Sequence, residues 1–183
     1  MPETEIDTFA GIDVSARELS VALRRGKGED KPAMAKFSNH PSGHKALIAH
    51  LLRGSRRVRV CLEASGNYTL DLALTLQAHR QVEISVINPR RARRFAESLG
   101  QRSKTDPVDA RVLGEYAARM PWVAWQPPSS VALHLRAVAR AIADLGVIHT
   151  QQNNRAHASA ASQALPVLVV KEMQRHQKYL ERA

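Results

Sequence analysis

Up to Phe37 the pattern of apolar and polar positions reads as three strands. Asp7 to Ser15 (DTFAGIDVS) is apolar and β-branched, and Glu18 to Arg24 (ELSVALR) has the pattern of a hairpin partner across a short turn. After the Gly-containing stretch from Gly26 to Lys31, Ala33 to Phe37 supplies a third strand. From Pro41 the period changes. Ala46, Leu47, Ala49, His50 and Leu51 are spaced for a helix over 43–53. Arg57 to Leu62 (RVRVCL) and Val82 to Ile87 (VEISVI) read as strands. They enclose a helix over 69–79, and a further helix from Pro89 to Leu99 opens on its proline. The predicted order is β-β-β-α-β-α-β-α, followed by a helix over 107–119.

Pro121, Pro127 and Pro128 interrupt regular structure between Met120 and Ser130. This divides the chain into a domain over 1–120, a Pro-rich linker over 121–130 and a helical region over 131–183. In the last of these, Val131, Leu135, Val138, Ile142 and Leu145 follow heptad steps over about two heptads. That seam suits either a coiled coil or a packed helical hairpin. Pro166 ends or bends it, and Val167 to Leu180 can form a last helix.

Composition narrows the class of partner. With 27 Lys and Arg against 17 Asp and Glu, the net charge of +10 points to a polyanion. Aromatics are 4% of the residues, too few for a base-stacking platform, so phosphate contacts carry the weight. No apolar run is long enough for a bilayer, and Glu3, Glu5 and Asp7 stand where a secretory signal has cations. A cytoplasmic protein with no membrane partner is expected. The single cysteine, Cys61, excludes an internal disulfide and reads as a small buried side chain.

Three antiparallel strands, a helix, then strands alternating with helices is the order of the ribonuclease-H-like α/β fold, a mixed sheet flanked by helices. In it the first and fourth strands lie side by side. Asp13 falls near the end of the first strand and Glu63 ends the fourth, so both carboxylates meet at one edge. Adjacent acids repel and lose hydration unless a cation compensates, which points to a metal. In Lys104-Thr105-Asp106-Pro107-Val108-Asp109-Ala110, Asp106 and Asp109 sit in the first turn of a helix. Asp106 as N-cap, Pro107 as first helical residue and Asp109 two further on is also good helix-start chemistry without any other role. Four acids suit one or two hard divalent ions such as Mg²⁺, in-line displacement at phosphorus being the associated chemistry. His40 and His44 flank Pro41 and read as surface residues.

Gly11-Ile12-Asp13-Val14-Ser15, Leu62-Glu63-Ala64-Ser65-Gly66-Asn67-Tyr68, Asn88-Pro89 and the Lys104–Ala110 motif, in this order, closely resemble the DEDD transposases of bridge-RNA-guided insertion sequences. These are relatives of the Piv DNA invertases. The resemblance covers the first two thirds of the chain. It implies a RuvC-like fold in which Asp13, Glu63, Asp106 and Asp109 match the acidic tetrad and bind Mg²⁺. It also implies strand exchange between donor and target DNA guided by a structured RNA, and assembly of several protomers through helices after the catalytic core. The seam from Val131 to Leu145 occupies that place. Members of the family continue into a C-terminal domain that supplies a serine nucleophile, and the sequence ends at Ala183 ahead of it. The chain is therefore expected to be an N-terminal catalytic portion, with the nucleophile assigned to neither Ser65 nor Ser103.

Arg90, Arg91, Arg93, Arg94, Arg102 and Lys104 are six cations against the single acid Glu97 in the stretch before the acidic helix. They are expected to contact nucleic-acid phosphates, although helical spacing spreads the first four over more than one face. Arg53, Arg56, Arg57 and Arg59 form a weaker second cluster. Two other functions compete with a metal-dependent recombinase domain. One is a non-catalytic nucleic-acid-binding and assembly fragment of a transposase. The other is a phosphotransferase of the actin and sugar-kinase class, which needs Gly-rich phosphate loops that nine scattered glycines do not provide.

Overall fold

The computed structural model describes residues 6–26, 31–55, 57–101, 105–161 and 165–180. It divides into two compact units, Met1–Pro127 and Pro128–Ala183. The first contains β1 (Thr8–Val14), β2 (Glu18–Arg25), β3 (Ala33–Ser38), α1 (Pro41–Leu52), β4 (Val58–Glu63), α2 (Asn67–Gln77), β5 (Val82–Ile87), α3 (Pro89–Ser98) and α4 (Asp106–Arg119). The strands form one sheet in the order β3-β2-β1-β4-β5. β1, β2 and β3 pair antiparallel, whereas β4 pairs parallel with both β1 and β5. A mixed sheet with antiparallel strands on one side, parallel strands on the other and helices on both faces is the ribonuclease-H-like, RuvC-type architecture.

Alternation assigns each strand residue to a face. Ala10, Ile12, Leu19, Val21, Val60, Leu62 and Ile84 point to one side, where Leu47 and Leu51 of α1 and Leu72 and Leu76 of α2 close over them. Phe9, Cys61 and Ile87 point to the other, against Ala92 of α3 and Leu113, Tyr116 and Ala117 of α4. This second face has an unusually close helix contact. A Cβ at Gly11 would run into the Ala110 carbonyl oxygen and the Gly114 nitrogen, so only glycine lets α4 lie on β1. Arg24 of β2, almost fully buried, ties the same helix down with an ion pair of 2.6 Å to Glu115.

Of the stretch read as a linker, Trp125 donates its backbone N–H to the Ile84 carbonyl at 2.7 Å. Its ring packs on the α1/α2 side, while Trp122 packs on the α4 side beneath the Arg59 guanidinium, 5.0 Å from the ring centre. The strap thereby covers the edge strand β5, whose outer backbone groups would otherwise be open to pairing.

In the second unit, α5 (Ser130–Ala160) is one continuous helix of 31 residues, with Ser129 accepting from the Ala132 N–H as N-cap, and α6 (Val167–Leu180) follows Pro166. Within this unit Ser159 of α5 is buried, its hydroxyl bonded to the Arg155 carbonyl and to Met173 of α6. Val131, Leu135, Val138, Ile142 and Leu145 are each more than half exposed. No helix among the described residues is long and apolar enough to cross a membrane.

Candidate functional site

Local chemistry holds both strand-end acids in place. After Asp13, the Ser15 hydroxyl donates to the Glu18 carbonyl at 2.9 Å and accepts from the Glu18 N–H, while Asn39 donates to the Ser15 carbonyl at 2.7 Å. The hairpin turn is therefore closed from two sides. After Glu63, the chain turns through Gly66 at φ +93°, a conformation that favours glycine. Thr69, buried at the start of α2, donates to the Glu63 carbonyl at 3.0 Å and bonds the Ser65 hydroxyl at 2.7 Å. The Leu62–Tyr68 motif thus locks the strand end that carries Glu63, with Ser65 as part of the lock.

Register then brings the acids to one side. Gly11 and Ile12 pair with Cys61 and Leu62, so Asp13 and Glu63 are the next positions on adjacent parallel strands, about 4.8 Å apart in backbone terms. Both alternate with residues of the α4 face, Asp13 with Gly11 and Glu63 with Cys61. Helix α4 runs opposite to β1. Phe9 shares a cluster with Leu113, Tyr116 and Ala117, and Gly11 touches Ala110 and Gly114, so Asp13 comes level with the first turn of α4. That turn carries Asp106 and Asp109, two acids where the helix dipole favours negative charge.

Glu63 and Asp109 line one open cleft of about 700 Å³. Its other walls include Arg90, Arg93, Glu97 and Gln101. Asp106 is exposed and is not among the cleft-lining residues; its field reaches Lys36 of β3. Lys36 is held above its ordinary ammonium range by a 2.7 Å hydrogen bond and ion pair to Glu18, with Asp106 adding to the same shift. The reading of Asp106 as N-cap needs correction by one residue. Thr105 has the extended cap geometry, and Asp106 is the first helical residue. An extended residue ahead of the Asp-Pro pair lets the proline fall within the first turn, where its missing N–H costs nothing.

The four arginines of α3 divide between two sides of the helix. Arg90 and Arg93 reach the cleft, Arg93 also pairing with Glu97 at 3.0 Å. Arg91 lies over the Tyr116 ring at 5.7 Å. Arg94 is exposed. Asn88 caps this helix by accepting from the Arg90 N–H at 2.8 Å. Arg102 and Lys104, expected at the same interface, lie outside the described residues, as does Arg56. Arg57 and Arg59 of the second cluster are engaged with Glu83 at 2.6 and 2.9 Å.

Among the described residues no three His, Cys, Asp or Glu side chains converge as a ready-made metal cage. The oxygen donors nevertheless fit a hard divalent cation, because Mg²⁺ commonly takes one or two carboxylates and keeps several waters. Two features of the α4 face were not foreseen. One is the Gly11–Gly114 approach, for which an isolated glycine inside a strand pattern is the available signal. The other is Ser20, which lies directly opposite Asp13, is 3% exposed and has a hydroxyl with no hydrogen-bond partner among the described residues. Cys61 is buried as expected, and burial pushes its thiol up to about 12.

The fold and the acidic strand ends define a ribonuclease-H-like α/β domain with Asp13 and Glu63 near the ends of its central parallel pair. The chain belongs to the DEDD transposase family of the IS110 type, whose model matches residues 10–176. It is similar to the pilin gene-inverting protein of Moraxella bovis, 33% identical over 137 residues, and to that of Moraxella lacunata, 35% identical over 137 residues. Each alignment covers 73% of this chain but only 41% of the relative, so the chain spans about two fifths of those proteins. Among solved structures it is similar to Thermus thermophilus RuvC, with a TM-score of 0.45 and 13% identity over 64% of this chain and 99% of that one. The same protein in complex with a Holliday junction substrate aligns with a TM-score of 0.43 and 14% identity, over 62% and 96% of the respective chains.

Proposed function

We propose that this chain is the N-terminal catalytic portion of a DNA transposase or recombinase, acting in Mg²⁺-dependent cleavage and transfer of phosphodiester strands under RNA guidance. The observation that carries the reading is the shared cleft of Glu63, Asp109, Arg90 and Arg93, with Asp13 on the neighbouring strand end of the same sheet face. Family membership and the name of the Moraxella relatives, which describes gene inversion, support DNA rearrangement as the process.

In this reading Asp13, Glu63 and Asp109 would hold the cation, with Asp106 of the same helical turn as the fourth carboxylate of the set. Bound Mg²⁺ supplies activation of the attacking hydroxyl and charge stabilisation at phosphorus. The protein's own part is positioning. The Thr69 and Ser15 locks limit movement of the two strand ends, and Gly11 lets α4 bring its acids to the sheet. Arg90 and Arg93 offer guanidinium donors to phosphate oxygens beside the acids. The +10 net charge suits DNA and a structured guide RNA as partners. The exposed heptad seam from Val131 to Leu145 suits a second copy of the chain, because such a stripe is self-complementary and is left uncovered within its own unit.

The test is metal binding by the Asp13→Asn variant. Loss of Mg²⁺ or Mn²⁺ binding with an unchanged circular dichroism spectrum is expected; wild-type occupancy at the site refutes the reading. A second reading, a nucleic-acid-binding and assembly fragment without chemistry of its own, is favoured by the lack of a preformed three-residue metal cluster among the described residues. Wild-type chain that binds DNA or RNA but no divalent ion would select it.

A further inference from the structure

We propose that Ser20 is a positioning residue for the Asp13 carboxylate, its buried hydroxyl donating to one carboxylate oxygen so that the other is directed to the cation. The inference rests on the reading of Asp13 as a metal-binding acid.

Ser20 sits in the middle of β2 and pairs directly with Asp13. Directly opposed residues of an antiparallel pair share a face, with side chains close enough to bond. On the same face its neighbours along β2 are Glu18 and Ala22, and Gly11 of β1 lies diagonally across, opposite Ala22. Alanine would serve the packing equally well at position 20. Instead there is a hydroxyl, 3% exposed and without a hydrogen-bond partner among the described residues, which is destabilising where it stands.

Its cross-strand neighbours decide what the hydroxyl is for. On the β3 side it pairs with Lys36, whose ammonium is a donor only and is bound to Glu18 at 2.7 Å. On the β1 side it faces Asp13, whose ionised carboxylate only accepts and has more lone pairs than one contact uses. A serine hydroxyl rotates freely enough to donate there. Outer hydrogen bonds of this kind fix the orientation of metal-ligating groups. A hydroxyl that costs stability in the metal-free chain and gains its partner with the cation accounts for both the burial and the missing bond.

The test measures Mn²⁺ affinity by electron paramagnetic resonance, together with metal-free thermal unfolding, for the wild-type chain and the Ser20→Ala, Ser20→Cys and Asp13→Asn variants. Ser20→Ala is expected to weaken Mn²⁺ binding about tenfold. It should at the same time raise the metal-free Tm by roughly 2–4 °C, as the unsatisfied hydroxyl disappears. A purely structural serine would not couple tighter folding to weaker binding. Ser20→Cys keeps the shape with a poor donor and should also bind Mn²⁺ more weakly, which guards against a packing defect in the alanine variant. Wild-type affinity in both Ser20 variants, with Asp13→Asn unable to bind, overturns the role of Ser20 and leaves that of Asp13 intact. Wild-type affinity in Asp13→Asn overturns both.

Discussion

The two faces of the central sheet are built on different principles. On the α1/α2 side, Leu47, Leu51, Leu72 and Leu76 cover Ile12, Val60, Leu62 and Ile84 in a continuous apolar layer whose stability follows the area removed from water. On the α4 side the apolar cluster is smaller, the helix backbone touches the strand backbone at Gly11, and the row ends in Asp13, Ser20 and Glu63. One face tolerates small errors in distance because side chains can repack. The other has no side chain at its closest contact and therefore sets the distance between Asp13 and the first turn of α4 rigidly. The polar groups lie on the rigid face, which is where an arrangement of charges needs fixed spacing.

Three experiments bear on this difference, beginning with the largest effect. Gly11→Val forces a branched side chain into the Ala110 and Gly114 backbone, and we expect a loss of more than about 4 kcal/mol or a chain that does not fold, measured by denaturant unfolding. A variant melting within a few degrees of the wild type would show that α4 can shift, and the contrast between the faces would fail. Leu47→Ala, at a fully buried position of α1, should cost about 2–5 kcal/mol, the usual range for a core cavity, while Mn²⁺ affinity stays unchanged. A change in affinity would mean that the two faces are coupled.

The smallest effect concerns Cys61, which belongs to the α4 face between the strands. Burial raises its thiol from an ordinary 9.0 to about 12, so the unfolded chain loses this proton more readily than the folded one. The contribution to stability is complete below pH 9 and declines as pH rises from there toward 12. At pH 8 a thiol reagent such as DTNB should react with the native chain no faster than the chain unfolds, and promptly in denaturant. Rapid native labelling would reveal an opening of the α4 face.

Much of this organisation is visible in the sequence because it is local. The change from period two to period 3.6 marks the strands and helices, and the apolar runs end at Asp13 and Glu63 because strand ends are where a carboxylate can stay hydrated. The placing of the first and fourth strands as neighbours came from the match between the element order and the ribonuclease-H-like fold, since a three-stranded meander by itself leaves two open edges, beside β1 and beside β3. The helix over Val167 to Leu180 was likewise legible from its pattern after Pro166.

Other features depend on what each element meets. The spacing of Arg90, Arg91, Arg93 and Arg94 shows that they diverge, but only the packing of α3 against α4 decides that Arg90 and Arg93 face the cleft while Arg91 covers Tyr116. Trp122 and Trp125 look like parts of a connector until the sheet edge they cover is present. The four acids illustrate the division. Their positions at two strand ends and one helix start were determined by sequence alone, through periodicity and proline. The level at which α4 crosses β1, and the orphaned Ser20 hydroxyl opposite Asp13, were decided only by tertiary structure. Backbone contact at a glycine and register between strands are relations between distant segments, and no local pattern encodes them.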